Sequence, residues 1–213
     1  MSVDHRRSQT SVRDQGARGT CVAFAVTAAH EWLRGISTEL SEESAILAAK
    51  AAGCTLASEA TTVNYALMGL TSVGQCSLSA WPYGKPQYPS RPTNWNILGK
   101  LSLGKWSSVS NGFVGIASEL DRGRPVVATV HFVPDAWIAA SDNGLVRDIS
   151  GAKVTAHAVL AVGHDNIGRQ EGTEQVLIFK NSWGQWGDDG YGYLTRSYVD
   201  RHLVCAHSLE TIA

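Results

Sequence analysis

Cys21, His157 and Asn181 are the residues of this chain whose types and settings could do chemistry together. Cys21 closes the loop Gln15-Gly-Ala-Arg-Gly-Thr-Cys21 and opens the apolar run Val22-Ala-Phe-Ala-Val26. A thiol in the first turn of a helix faces unpaired backbone N–H groups and the positive end of the dipole, both of which favour the thiolate. The plainer alternative is a small buried residue without reactivity. A cysteine nucleophile also needs a base, and the base needs an orienting group. Of the 7 histidines, His157 opens a strongly apolar strand directly after Lys153-Val-Thr155, where a rigid element can present it at an edge. His30 lies more than two turns along the Cys21 helix, out of reach of the thiol. His131, His164 and His207 read as ordinary packed or surface side chains. Asn181 ends a second apolar strand, ahead of Ser182-Trp183-Gly-Gln-Trp186-Gly. Its amide can accept an imidazole N–H and fix the tautomer, with Trp183 covering that bond from water. An aromatic-rich turn without chemistry is the competing reading.

The elements that must position these residues are legible from period and punctuation. Apolar residues at 22, 25, 26, 29, 32 and 33 follow one helix face, with Thr20 as cap and Gly35 as stop. Ser41, followed by Glu42 and Glu43, starts a second helix that ends at Gly53. Val63, Ala66, Leu67 and Leu70 mark a third, capped by Thr61 or Thr62 and stopped at Gly74. Residues 1–14 read as an extended arm. From Gln75 to Asn111 the pattern dissolves among Trp81-Pro-Tyr83, Pro86, Pro89 and Pro92, as in an ordered connection pinned by aromatics. A short helix over Phe113–Leu120, stopped by Gly123, follows. Strands are then expected at 125–132, 157–163, 175–180, 191–195 and 204–209. Helices first and strands second predict an α+β protein of two lobes, 1–110 mainly helical and 111–213 mainly β.

Composition excludes several classes. The chain has 213 residues, 44% hydrophobic and 17% charged, which is ordinary for a globular domain. A net charge of -1 gives no electrostatic case for nucleic acid or an anionic membrane. No apolar run is long enough to cross a bilayer. The 4 cysteines, at 21, 54, 76 and 205, form no C-x-x-C pair, so neither a structural zinc site nor any other metal is expected, and no cofactor is implied. Reduced thiols are expected, with a Cys54–Cys76 bridge left open.

Four blocks together resemble the papain-like cysteine peptidases: Gln15 to Ala25, Leu40-Ser-Glu-Glu43, His157 to Gly163, and Lys180 to Tyr193. Their order is that of the family, with His157 lying 136 and Asn181 160 residues beyond Cys21. Gly74-Gln-Cys76 and Trp81-Pro-Tyr83 resemble a segment of bacterial members. The resemblance implies a two-lobe papain-like fold, with a helical left lobe, an antiparallel β-barrel-like right lobe and the active-site cleft between them. It implies Cys21 as nucleophile, His157 as general base and acid, Asn181 as orienting residue, and Gln15 with the Cys21 backbone N–H as the oxyanion hole. Trp183 then shields the triad on the primed side, and a thiolate–imidazolium pair holds the Cys21 pKa far below its free value of about 8.5.

The chain also departs from the family pattern. Arg18 and Val22 stand where the box usually has cysteine and tryptophan, so the usual disulfide to the neighbouring loop is lost. The Trp183–Trp186 turn is one residue shorter than is common. The glycine pair of the substrate-binding wall is not recognisable, and Glu59-Ala-Thr-Thr62 is expected in its place. The implied activity is an endopeptidase acting on protein or peptide substrates. A deamidase or transglutaminase-like acyl transferase on the same triad is the rival, and an inactive binding module the third reading. The start Met1-Ser-Val-Asp-His-Arg-Arg lacks the apolar region of a secretory signal, and 14 residues precede Gln15. Cytoplasmic localisation is therefore expected. Without a pro-segment, restraint is expected from a separate inhibitor or immunity protein, from compartment, or from a larger parent chain, as in a bacterial effector or toxin delivered into another cell.

Overall fold

The structure is a computed structural model that describes residues 2–35, 39–57, 59–84, 89–167 and 174–210. Helix α1 spans Cys21–Arg34 and ends in the left-handed conformation at Gly35 (φ 57°), where a side chain would be strained. Thr20 precedes it, but its hydroxyl makes no cap and instead shares a 2.7 Å hydrogen bond with the Tyr83 hydroxyl. Helix α2, Glu42–Ala51, is capped by Ser41, whose Oγ accepts from the Ser44 N–H. Helix α3, Val63–Ser72, is capped by Thr62 rather than Thr61. It crosses α2 closely, because Gly69 sits where any Cβ would collide with the Ala48 carbonyl. Helix α4, Gly112–Asp121, and the turn at Gly123 fall where the apolar spacing puts them.

The strands are β1 (Val3–Asp4), β2 (Lys105–Ser108), β3 (Val126–Phe132), β4 (Leu145–Val146), β5 (Thr155–Ile167), β6 (Glu174–Lys180), β7 (Tyr191–Thr195) and β8 (Leu203–Glu210). They form one sheet in the order β2-β8-β3-β5-β6-β7-β4, with β1 on β5. All pairs are antiparallel except β4 with β7. The barrel-like right lobe expected from the resemblance is therefore an open sheet. The described strands run from β2 at one end to β4 at the other, and no pairing joins those two. The arm at 2–14 is pinned by β1 and by a bridge from Asp14 to Trp183.

Beyond the extended arm, several short elements are absent from the sequence reading: β2, β4, the six-residue helix α5 (Pro134–Ala139), α6 (Arg196–His202) and the single 3-10 turns at Arg6–Ser8 and Trp95–Ile97. Each is too brief to show a period, and α5 starts on Pro134, a residue favoured at the first helical position. The connection after Gln75 is ordered around Trp81 and Trp95, whose rings meet edge-on with centroids 5.4 Å apart, beside buried Cys76. Pro86 lies outside the described residues. Cys54 and Cys76 are both free thiols, so the bridge left open by the sequence is not made.

Two apolar layers flank the sheet. The first joins α1, α2 and α3 to Val127, Leu160, Val162 and Ile178. The second joins α4, α5 and α6 to the opposite face, around Trp137, Phe179 and Tyr198. Alternation along β5 sends Leu160 and Val162 to one layer and Val159 and Ala161 to the other, as expected of a strand covered on both faces. His30 is buried in the first layer, its Nδ1 bonded to the Gln75 amide oxygen at 2.9 Å, and burial pulls its pKa down to about 4.

Candidate active site

α1 delivers Cys21 at its first residue, against β5. The backbone N–H groups of Ala158, Val22 and Cys21 itself approach the sulfur and favour its thiolate. Because Thr20 provides no side-chain cap, the first-turn N–H groups are left to the sulfur and to whatever binds beside it. His157 lies on β5 one residue before Ala158, paired with Val130 of β3, so its backbone is held within the sheet.

The His157 imidazole is bonded to Asn181 Oδ1 at 2.9 Å. The Ser182 N–H donates to the same oxygen at 2.9 Å, which fixes the amide orientation. His157 Nε2 is therefore the donor, and in the neutral ring Nδ1 keeps its lone pair. Trp183 stacks on the imidazole with centroids 4.5 Å apart and planes 29° from parallel. Trp137 meets it edge-on at 5.2 Å. Trp137 itself is fixed by a 2.8 Å bond from its Nε1 to the Tyr198 hydroxyl, which donates to the His131 carbonyl. Trp137 has no counterpart in the sequence reading, since nothing in Pro134-Asp-Ala-Trp137 marks it as a neighbour of His157.

Gln15 is buried and tied to the strand end that carries Asn181. Its Oε1 accepts from Ser182 Oγ at 2.6 Å, and its backbone N–H donates to the Ser182 carbonyl at 2.8 Å. Its Nε2 donates to the Arg18 carbonyl at 2.7 Å. Ser182 thus holds Asn181 and Gln15 in one frame, a role that its place beside Asn181 could have suggested.

Gln15, Cys21, His157 and Trp183 line a single cleft of about 590 Å³. One wall is Ala60-Thr61-Thr62-Val63, where the sequence placed the substitute for the glycine pair; the other includes Thr129 and Cys205. Among the described residues, no Asp, Glu, Lys or Arg lines it. Burial pushes the Cys21 thiol up and pulls His157 down to about 4, the latter opposed by its bond to Asn181. Taken singly, each group is held neutral. The ion pair expected from the resemblance then forms only if the two ionise together, the sulfur's proton passing to the ring as each charge stabilises the other.

The remaining histidines serve elsewhere. His164 pairs with Asp121 at 2.9 Å, His202 with Asp148 at 3.1 Å, and His207 packs edge-on against Trp106. Among the described residues no group of three or more His, Cys, Asp or Glu could hold a metal ion, and no helix is long and apolar enough to cross a membrane.

The chain belongs to the papain family of cysteine proteases, whose family model matches residues 1–209. It is 30% identical to chymopapain of Carica papaya over 218 aligned positions, covering 96% of this chain and 57% of that protein. It is 29% identical to cathepsin R of Mus musculus, covering 91% of this chain and 60% of that protein. The chain thus spans about three-fifths of the length of the curated relatives it matches. Among solved structures it resembles xylellain, a cysteine protease from Xylella fastidiosa, with a TM-score of 0.81 at 21% identity over 100% of this chain and 86% of that one. Digestive procathepsin L 3 of Tenebrio molitor gives 0.80 at 26% identity, over 99% of this chain and 69% of that one.

Proposed function

We propose that the chain is a cysteine endopeptidase that hydrolyses peptide bonds of protein substrates. The observation that carries this is the His157–Asn181 bond at 2.9 Å, which holds the ring of a histidine that lines one cleft with Cys21 and Gln15. In this reading the Cys21 sulfur loses its proton to His157 Nδ1 and attacks the substrate carbonyl. The developing oxyanion meets the Cys21 backbone N–H and the second N–H of Gln15 Nε2, the first being held by the Arg18 carbonyl. His157 then protonates the leaving amine, which departs and leaves a thioester on Cys21. Water, deprotonated by the same imidazole, resolves the thioester. Asn181 keeps the ring in its donor–acceptor orientation throughout, and Trp183 screens their bond. Family membership supports this reading, and so does the fixed tautomer.

The test is hydrolysis of a denatured protein and of fluorogenic peptide amides, with Cys21→Ala as control. Backbone cleavage that disappears in the control, together with iodoacetamide or E-64 labelling of Cys21 ahead of Cys54, Cys76 and Cys205, is the expected result. Ligated or deamidated product without cleavage, when an amine competes, would instead identify an acyl transferase. An unlabelled Cys21 would identify a binding module.

The proposal extends to restraint by a cognate inhibitor protein seated on the cleft, in an effector delivered to another cell. Expression in a bacterial host is then expected to be harmful with Cys21 intact and harmless with Cys21→Ala. Equal growth of the two strains counts against it.

A further inference from the structure

Arg18 is a buried cation in the loop between Gln15 and Cys21, and it is fully engaged. Its side chain is 4% exposed and faces Glu43, at 0%, and Glu59, at 22%. Nη1 and Nη2 grip both carboxylate oxygens of Glu43 on α2. Nε bonds Glu59 Oε2 at 2.7 Å, and Nη1 also donates to the Gly84 carbonyl at 2.7 Å. The guanidinium lies over the Tyr83 ring, 4.3 Å from its centroid. The Tyr83 hydroxyl donates to the Gln15 carbonyl at 2.9 Å and bonds the Thr20 hydroxyl. The loop is therefore fastened at its start, middle and end.

The main chain of Arg18 completes the arrangement. Its carbonyl accepts from Gln15 Nε2 at 2.7 Å and from the Thr20 N–H at 2.9 Å. Glu59, at the other end of the ion pair, directly precedes Ala60, Thr61 and Thr62 of the cleft wall. Glu59 thereby links that wall to the guanidinium, and the Arg18 main chain links the same residue to the Gln15 amide.

We propose that Arg18 is a positioning residue for the reaction: held by Glu43 and Glu59, it orients the Gln15 amide and couples that amide to the substrate-binding wall. The proposal deepens the peptidase reading and rests on it for its kinetic consequence. Removing Arg18 itself would strand the buried Glu43 charge and strongly destabilise the chain, so it is the wrong variant to test. Glu59→Gln keeps the shape, lies at the partly exposed end and weakens the pair.

The experiment is a kinetic cycle of Glu59→Gln and Gln15→Ala on the full chain, read with a peptide amide too short to reach the 60–63 wall. Glu59→Gln is expected to lower kcat about tenfold, a fraction of the ~10²–10³ that loss of an oxyanion donor costs, with KM within about twofold. In the Gln15→Ala background the same substitution is expected to change kcat less than about twofold, because the group it acts through is gone. Equal losses in both backgrounds, or an unchanged kcat in the first, overturn the proposal. A second readout does not need turnover: the ¹⁵N side-chain amide signal of Gln15, assigned by its loss in Gln15→Ala, is expected to shift in Glu59→Gln. An unmoved signal overturns the positioning role even if activity falls. A wild-type chain that hydrolyses nothing overturns the peptidase reading, and the amide signal then still decides the positioning. Should Glu59→Gln lower the melting temperature by more than a few degrees, Glu59→Asp, which keeps the charge and shortens its reach, takes its place in both arms.

Discussion

Trp183 lies nearly parallel to His157, 4.5 Å between ring centroids, and Trp137 closes the imidazole's edge at 5.2 Å. The two indoles, themselves 5.3 Å apart, make the His157 site apolar while leaving one ring nitrogen bonded to Asn181. That surrounding accounts for the low pKa of the ring, about 4.

Trp183→Ala is expected to admit water to His157 and raise its pKa toward 6.5, because burial is the main cause of the depression. The acid limb of the kcat/KM profile moves to higher pH accordingly. Trp183→Phe, which keeps a stacked ring, is expected to leave that limb in place. NMR titration of the His157 ring in both variants checks the assignment; an unshifted pKa in Trp183→Ala refutes it.

Asn181→Ala removes the acceptor that fixes the tautomer. Orienting partners of this kind typically contribute 10–100-fold, so kcat is expected to fall by about that factor with KM little changed. Asn181→Gln is not expected to rescue, since Oδ1 also accepts from the Ser182 N–H and a longer side chain displaces that bond. Steady-state kinetics of the two variants decide the matter.

Gly69→Ala tests the packing that holds the left side of the cleft. The added methyl meets the Ala48 carbonyl on α2, a backbone group that cannot swing away. Overpacking at such a contact costs about 1–3 kcal/mol, and the displaced α3 carries with it Val63, at its first residue, on the cleft wall. Denaturant unfolding is expected to show the loss, and KM to rise. An unchanged midpoint would show that α2 and α3 can separate freely.

Stability is expected to fall with acidification between about pH 6.5 and 4. His157 and His30 have folded pKa values of about 4 against 6.5 when exposed. In that window the unfolded chain binds protons that the folded chain refuses, so each histidine contributes stability above 6.5 that is lost as pH falls toward 4. Glu42 acts oppositely. Burial raises it from 4.5 to about 7, and its contribution is present below 4.5 and lost as pH rises to 7. Two histidines outweigh one carboxyl, so the melting temperature drops on acidification. Replacing His30 with Gln is expected to flatten the slope; a steeper one contradicts the assignment.

Helices α1, α2 and α3 were legible because their ends are local chemistry: Ser41 and Thr62 cap, and Gly35 stops. The site was legible for a different reason, since Cys21, His157 and Asn181 each begin or end an apolar element, where a side chain can reach a cleft. What escaped the sequence is non-local. Trp137 reaches His157 from a six-residue helix that shows no period. Arg18 looks like a loop residue until α2 and the segment at 59 close around it. The open edges of the sheet depend on whether β2 meets β4, which no residue in either strand announces.

Strand β5 pairs with β1, β3 and β6 along its length, so it is the trunk of the sheet. His157 stands on that trunk, while Ala60-Thr61-Thr62 forms a loop fastened through side chains such as Glu59. His157 is thus held in a strand with partners on both sides, and the wall in a loop held by side chains that substitutions can change. In the peptidase reading, changes in the wall are expected to alter substrate preference without moving His157.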